Sequence, residues 1–168
     1  MARSVNTKSA SHTSALRIGQ PAPDVTVSDD EGRMVRLADF RGRKVILYFY
    51  PKDDTPGCTK EACSFRDAGA ELRARGAVVL GVSVDSVESH RKFKAKFRLN
   101  FPLLSDVEKT VVKAYGVWKE KSLYGRTYMG VERTTFLLDE QGRIATIFPK
   151  VSVEGHLDEV LAALGGKS

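Results

Sequence analysis

The sequence predicts an α/β fold with a mixed central sheet, helices on both faces and an N-terminal β-hairpin. Three observations carry this. "RKVILYFYP" (residues 43–51) and "AVVLGVSV" (77–84) are continuous apolar, β-branched or aromatic runs, as expected of strands buried on both faces. Between and after them lie stretches with apolar residues at helical spacing. Near the end, "ERTTFLLDEQGRIATIF" reads as strand, turn and strand.

The elements follow in order. Residues 1–15, "MARSVNTKSASHTSA", are rich in Ser and Thr, lack acids and show no periodicity, so they are expected to form a disordered tail. Residues 16–168 then form one domain, a normal size for one hydrophobic core. "DVTVSDDEGRMVRL" has two alternating runs around "DDEG", a hairpin. From Cys58 to about Arg75 the recurrence of Ala62, Phe65, Gly69 and Leu72 predicts one helix, stopped at Gly76. "DSVESHRKFKAKFR" predicts a second, with Asp85 and Glu88 at capping-box spacing and Phe93 and Phe97 facing inward. "FPLLS" is a short strand and "EKTVVKAY" a short helix. The last helix carries Leu157, Val160, Leu161 and Leu164 and is closed by Gly165 and Gly166. "YGVWKEKSLYGRTYMG" (115–130) reads as a loop that could border a site, with Trp118 and Tyr124 as packing residues. Strand–helix–strand units joined to a late hairpin fit a thioredoxin-like arrangement.

Composition narrows the function. The chain has 168 residues, 42% of them hydrophobic and 29% charged, and its longest apolar run here, "VILYFY", has six residues. That is far short of a bilayer span, and the N-terminus lacks the apolar core of a signal peptide. A soluble, cytoplasmic protein is expected, where two cysteines do not form a permanent staple. The net charge of +6 suggests nucleic acid, but residues 1–18 contribute three of those charges through Arg3, Lys8 and Arg17. The basic run "HRKFKAKFR" is better read as a solvated helix face whose phenylalanines serve the core. No nucleic-acid or membrane partner is expected.

The only two cysteines lie in "PKDDTPGCTKEAC" (51–63), directly after a buried strand and at the start of a helix. Unpaired N–H groups there favour a thiolate at Cys58. A metal site is disfavoured, because His12, His90 and His156 are remote in sequence and four ligands are wanted. The C-x4-C spacing is neither a thioredoxin C-x-x-C nor a complete iron–sulfur set. On a regular helix residues five apart have Cα atoms roughly 8.7 Å apart, beyond the about 7 Å a disulfide allows. The spacing therefore suggests two states, a helical dithiol and a locally unwound disulfide.

"PKDDTPGCTKEAC" together with "YGRTYMGVERTTFLLD" resembles the Q-type peroxiredoxins, also called bacterioferritin comigratory proteins, over roughly residues 18–164. Pro51, Thr55 and Cys58 match the P-x-x-x-T-x-x-C pattern. The resemblance implies a thiol peroxidase that reduces hydrogen peroxide and organic hydroperoxides, needs no cofactor or metal and is recycled by thioredoxin or a similar dithiol. It also permits a monomer. It implies Cys58 as the peroxidatic cysteine, Cys63 as the resolving one and Arg133 as the distant arginine of the site. Thr55 is expected to hydrogen-bond peroxide and sulfur, and Pro51 to shield the sulfur. Glu61 matches a position often acidic in the wider family, and reads equally well as a favourable first-turn acid. Two other classes stay open: a redox switch using the same disulfide without turnover, and a protein disulfide oxidoreductase.

Overall fold

A computed structural model describes residues 16–165. The disordered tail expected for residues 1–15 and the closing Gly166 lie outside them. The strands are β1 (Thr26–Ser28), β2 (Met34–Arg36), β3 (Lys44–Phe49), β4 (Ala77–Ser83), β5 (Leu103–Ser105), β6 (Trp118–Leu123), β7 (Arg126–Val131), β8 (Thr134–Leu138) and β9 (Ile144–Phe148). The helices are α1 (Pro56–Asp67), α2 (Gly69–Ala74), α3 (Val87–Phe97), α4 (Thr110–Ala114) and α5 (His156–Leu164), with a 3-10 turn at Leu37–Phe40.

Seven strands form one sheet in the order β9-β8-β3-β4-β5-β1-β2. The centre, β3-β4-β5, is parallel; β8, β9, β1 and β2 join antiparallel to their neighbours. The mixed, helix-flanked sheet and the N-terminal hairpin are those expected from the sequence. Alternation along β3 divides the interior. Val45, Leu47 and Phe49 face one core with Phe136 and Tyr115, while Ile46, Tyr48 and Tyr50 face the other with Cys58, Phe65, Phe93 and Val160. The second core is where α1 packs, so the strand run fixes the floor beneath Cys58.

Three details differ from the sequence reading. The helix expected from 58 to 75 starts at Pro56 and breaks at Ala68, giving α1 and α2. The amide of Asn100 donates to the Arg66 carbonyl at 3.1 Å, taking an acceptor that a continuous helix would use. Gly69 makes room for it, since a Cβ there would lie 3.0 Å from the Asn100 amide nitrogen. The cap of α3 is Ser86, whose hydroxyl accepts from the Ser89 N–H at 3.1 Å, and not Asp85. Asp85 instead accepts from the Asp53 N–H and the Ser83 hydroxyl. Residues 118–131 form a separate two-stranded ribbon, β6–β7, not a loop. Tyr124 and Gly125 both have positive φ, the signature of a type I′ turn that matches strand twist. Most of the ribbon is exposed on both faces, so no apolar alternation announced it.

The 90–98 face behaves as a solvated one. Phe93 is buried against Phe97, while Lys92, Lys94 and Lys96 pair with Glu88, Asp30 and Asp54.

Gly81 of β4 lies opposite Tyr48 of β3, and a Cβ there would meet the Tyr48 ring at 3.0 Å. Gly81→Ala should therefore destabilise the fold by about 1–3 kcal/mol, read as a lowered urea midpoint at unchanged slope.

Candidate active site

The chain leaves β3 at Phe49 and turns through Tyr50–Thr55 into α1. Pro51, partly buried, opens this turn, and Asp54 takes a left-handed conformation, φ 57°, that aspartate tolerates. Thr55 stands at the N-cap position and Pro56 at the first helical position, where a missing N–H costs nothing. The first intrahelical bond runs from Thr59 N–H to the Thr55 carbonyl at 2.8 Å. The N–H groups of Gly57 and Cys58 have no acceptor among the described residues, so the positive end of the helix is open beside the Cys58 sulfur.

Cys58 is 1% exposed and Cys63 half-buried; both are free thiols. They lie in the same unbroken helix, α1, so the intact helix keeps them apart.

Arg133, between β7 and β8, reaches across to α1. Its Nη2 donates to Cys58 Sγ at 3.4 Å and its Nη1 to Glu61 Oε1 at 2.7 Å. A Cβ on Gly57 would lie 3.3 Å from that Nη2, so the glycine lets the guanidinium settle over the first turn. The Arg133 backbone carbonyl is tied down by the Val151 N–H at 2.9 Å.

Glu61 is 1% exposed. Burial pushes its carboxyl from the usual 4.5 up to about 7, against the opposing pull of Arg133. Burial by itself would lower the Arg133 guanidinium, but the Glu61 and Cys58 anions outweigh it and the net direction is up. The other Glu61 oxygen, Oε2, and the Tyr48 hydroxyl are buried and have no partner among the described residues. Burial, with Glu61 and Cys58 nearby, raises the Tyr48 phenol far above its ordinary range, so it stays a neutral donor. On β6, burial and Arg133 together lower the Lys121 ammonium.

A second network holds the turn. Asp53 accepts from the Tyr50 hydroxyl at 2.6 Å and the Ser89 hydroxyl at 2.7 Å, and its Oδ2 lies 2.7 Å from His90 Nδ1. His90 Nε2 lies 2.9 Å from the Leu104 carbonyl oxygen. Asp53, Asp85 and His90 could offer three clustered oxygen and nitrogen ligands to a metal. Their atoms are already engaged by protein donors and acceptors, so this cluster is built as a clamp on the loop.

Of the residues expected from sequence, Cys58, Arg133 and Glu61 converge directly. Cys63 is one helical turn and a half beyond Cys58, and Pro51 and Thr55 frame the turn before it. Thr55 does not hydrogen-bond the sulfur: its hydroxyl donates to the Lys52 carbonyl at 2.9 Å, leaving its lone pairs to accept. Sequence reasoning missed Asp53 and His90 as a pair. Their separation of 37 residues leaves no local signal, although the "DD" inside the motif marks the turn.

A thiol placed and partnered in this way defines a thiol-dependent oxidoreductase on a thioredoxin-like sheet. A model of the AhpC/TSA family matches residues 18–147. The chain belongs to this family, among its Bcp or Q-type peroxiredoxins, and is a peroxidase. Peroxiredoxin Bcp of Bacillus subtilis is 49% identical over 149 residues, covering 89% of this chain and 95% of the relative. Peroxiredoxin Bcp of Escherichia coli K12 is 45% identical over 146 residues, covering 87% and 94%. Among solved structures, the bacterioferritin comigratory protein of Xanthomonas campestris superposes with TM-score 0.82 at 42% identity, covering 88% of this chain and 97% of that one. Its trapped intermediate and ligand complexes address alkyl peroxide reduction by that protein. PrxQ of Xylella fastidiosa gives a TM-score of 0.84 at 38% identity, covering 89% and 96%.

The raised Glu61 carboxyl makes a prediction. Between about pH 4.5 and 7 the folded carboxyl keeps a proton that the unfolded chain has released. The folded state then binds more protons, so stability falls as pH rises through this window and levels off above it, by as much as about 3 kcal/mol. Glu61→Gln should flatten that slope in urea unfolding measured from pH 4.5 to 8; an unchanged slope would place the titration elsewhere.

Proposed function

We propose that the protein reduces hydrogen peroxide and organic hydroperoxides through a cycle contained within α1. The contact between Arg133 and Cys58 Sγ carries this reading. The Cys58 thiolate attacks one peroxide oxygen, and the O–O bond breaks as its electron pair goes to the departing oxygen. The departing hydroxide or alkoxide takes up a proton and leaves as water or alcohol, and Cys58 becomes a sulfenic acid. Arg133 supports this step because it is cationic, fixed at both ends and aimed at the sulfur, where negative charge shifts toward the leaving oxygen. The open N–H groups of Gly57 and Cys58 supply further donors. Thr55 accepts the hydrogen bond of the incoming hydroperoxide, and Pro51 shields the sulfur from water.

Cys63 then attacks the sulfenic sulfur, expelling water and forming a Cys58–Cys63 disulfide after the first turns of α1 unwind. A thioredoxin-type dithiol restores both thiols. Both cysteines lie in one helix, so a monomer suffices, and the cycle fits a cytoplasmic dithiol pool.

Cys58→Ser should abolish peroxide-dependent consumption of reductant in a thioredoxin-coupled assay. In Cys63→Ser, one equivalent of peroxide should leave a trappable sulfenic acid on Cys58 and no loss of two hydrogens by intact mass spectrometry. Fast thioredoxin turnover by Cys63→Ser would rule out its resolving role. Arg133→Gln should lower kcat/KM for peroxide by on the order of 100-fold or more, the loss expected for one preorganised donor to developing charge. A loss below about tenfold would remove Arg133 from the charge-stabilising role.

A further inference from the structure

The sheet has an unfinished edge at the start of β4. Strands β4 and β5 run parallel from Gly81 and Leu103 onward. The Gly81 N–H donates to the Pro102 carbonyl at 3.2 Å, so odd-numbered residues of β4 point their backbone groups toward β5. One step earlier the ladder stops. The next acceptor in line, the Val79 carbonyl, would need the N–H of residue 102, and proline has none. The Val79 N–H has no acceptor among the described residues either. Yet Val79 is only 7% exposed, and a buried, unpaired backbone donor and acceptor are costly.

A cavity of about 250 Å³ lies against this edge. Leu72, Phe101 and Phe40 make its apolar walls, and Arg43 and Arg73 stand at its rim. Neither arginine forms a salt bridge among the described residues, although both are exposed and charged. The slot thus offers one amide-sized donor–acceptor pair, an apolar lining and two free cations.

We propose that this slot binds the C-terminus of a peptide ending in apolar residues, which adds a short strand beside β4. The peptide C=O accepts from the Val79 N–H and a peptide N–H donates to the Val79 carbonyl, completing the interrupted ladder. Apolar side chains fill the space between Leu72, Phe101 and Phe40, and the terminal carboxylate pairs with Arg43 and Arg73. The volume is below the roughly 300–1,000 Å³ of drug-sized sites, which suits a segment of very few residues. The proposal does not depend on the peroxidase cycle.

The test uses the full reduced chain, 15N-labelled, titrated with N-acetyl-Leu-Leu bearing a free carboxylate. Saturable shifts at the Val79 amide are expected, with a dissociation constant on the order of millimolar. The C-terminal amide of the same peptide should bind about tenfold more weakly, as should Arg43→Gln and Arg73→Gln combined, for loss of a charge-assisted hydrogen bond. Pro102→Ala, which supplies the missing N–H to Val79, should weaken binding while keeping peroxidase activity. Absence of saturable shifts at Val79, equal binding of the amide, equal binding by the arginine variant, or equal binding of octanoate, which lacks an amide, would each overturn the proposal.

Discussion

Much of the site depends on a single guanidinium that is asked to serve two anions. Arg133 binds the Cys58 sulfur with one nitrogen and the Glu61 carboxylate with another. The geometry requires the connection between β7 and β8 to stand over the first turns of α1, which in turn requires β8 to lie beside β3 at the sheet centre. Gly57 completes it by leaving the approach free. A lysine could not replace it, because an ammonium is a point charge and cannot reach both partners along two fixed directions.

The arrangement is costly in isolation. A carboxylate that is almost fully buried must lose its hydration, and the guanidinium returns only part of that loss. Burial consequently pushes the carboxyl up to about 7, against the pull of Arg133. That makes the hold on Arg133 sensitive to surroundings, including any charge that accumulates on the sulfur. A tightly ionised carboxylate would anchor the arginine more strongly but would also compete harder for it.

The sheet was legible because buried strands write long apolar runs, and "KVILYFY" and "AVVLGVS" could hardly be anything else. Cys58, Thr55 and Pro51 were legible because the turn and the helix start compress them into one local pattern. Arg133 and Glu61 could be named as candidates, but their mutual bond spans 72 residues and only the fold brings it about. The Asp53–His90 clamp left no local signal, since its two members lie 37 residues apart and His90 opens a run that reads as a solvated helix face. The β6–β7 ribbon was invisible for the opposite reason: neither face is buried enough to impose alternation. The break between α1 and α2 depends on Asn100, a residue that no local reading of residues 56–75 contains.

The clamp also has a thermodynamic meaning. Asp53 is fixed immediately before α1, and Phe65 is held within it by the Tyr48 ring at 4.9 Å. In the proposed cycle the unwinding is thereby confined to the few turns between two fixed points. The folding free energy of that short stretch then becomes part of the disulfide's reduction potential, because breaking the bond allows the helix to re-form. For a two-electron couple, each 1.4 kcal/mol of helix stability corresponds to about 30 mV. In that cycle, residues of α1 outside the sulfur's contacts, such as Lys60 with its surface partner Glu154, would help to set how readily a dithiol donor resets the enzyme.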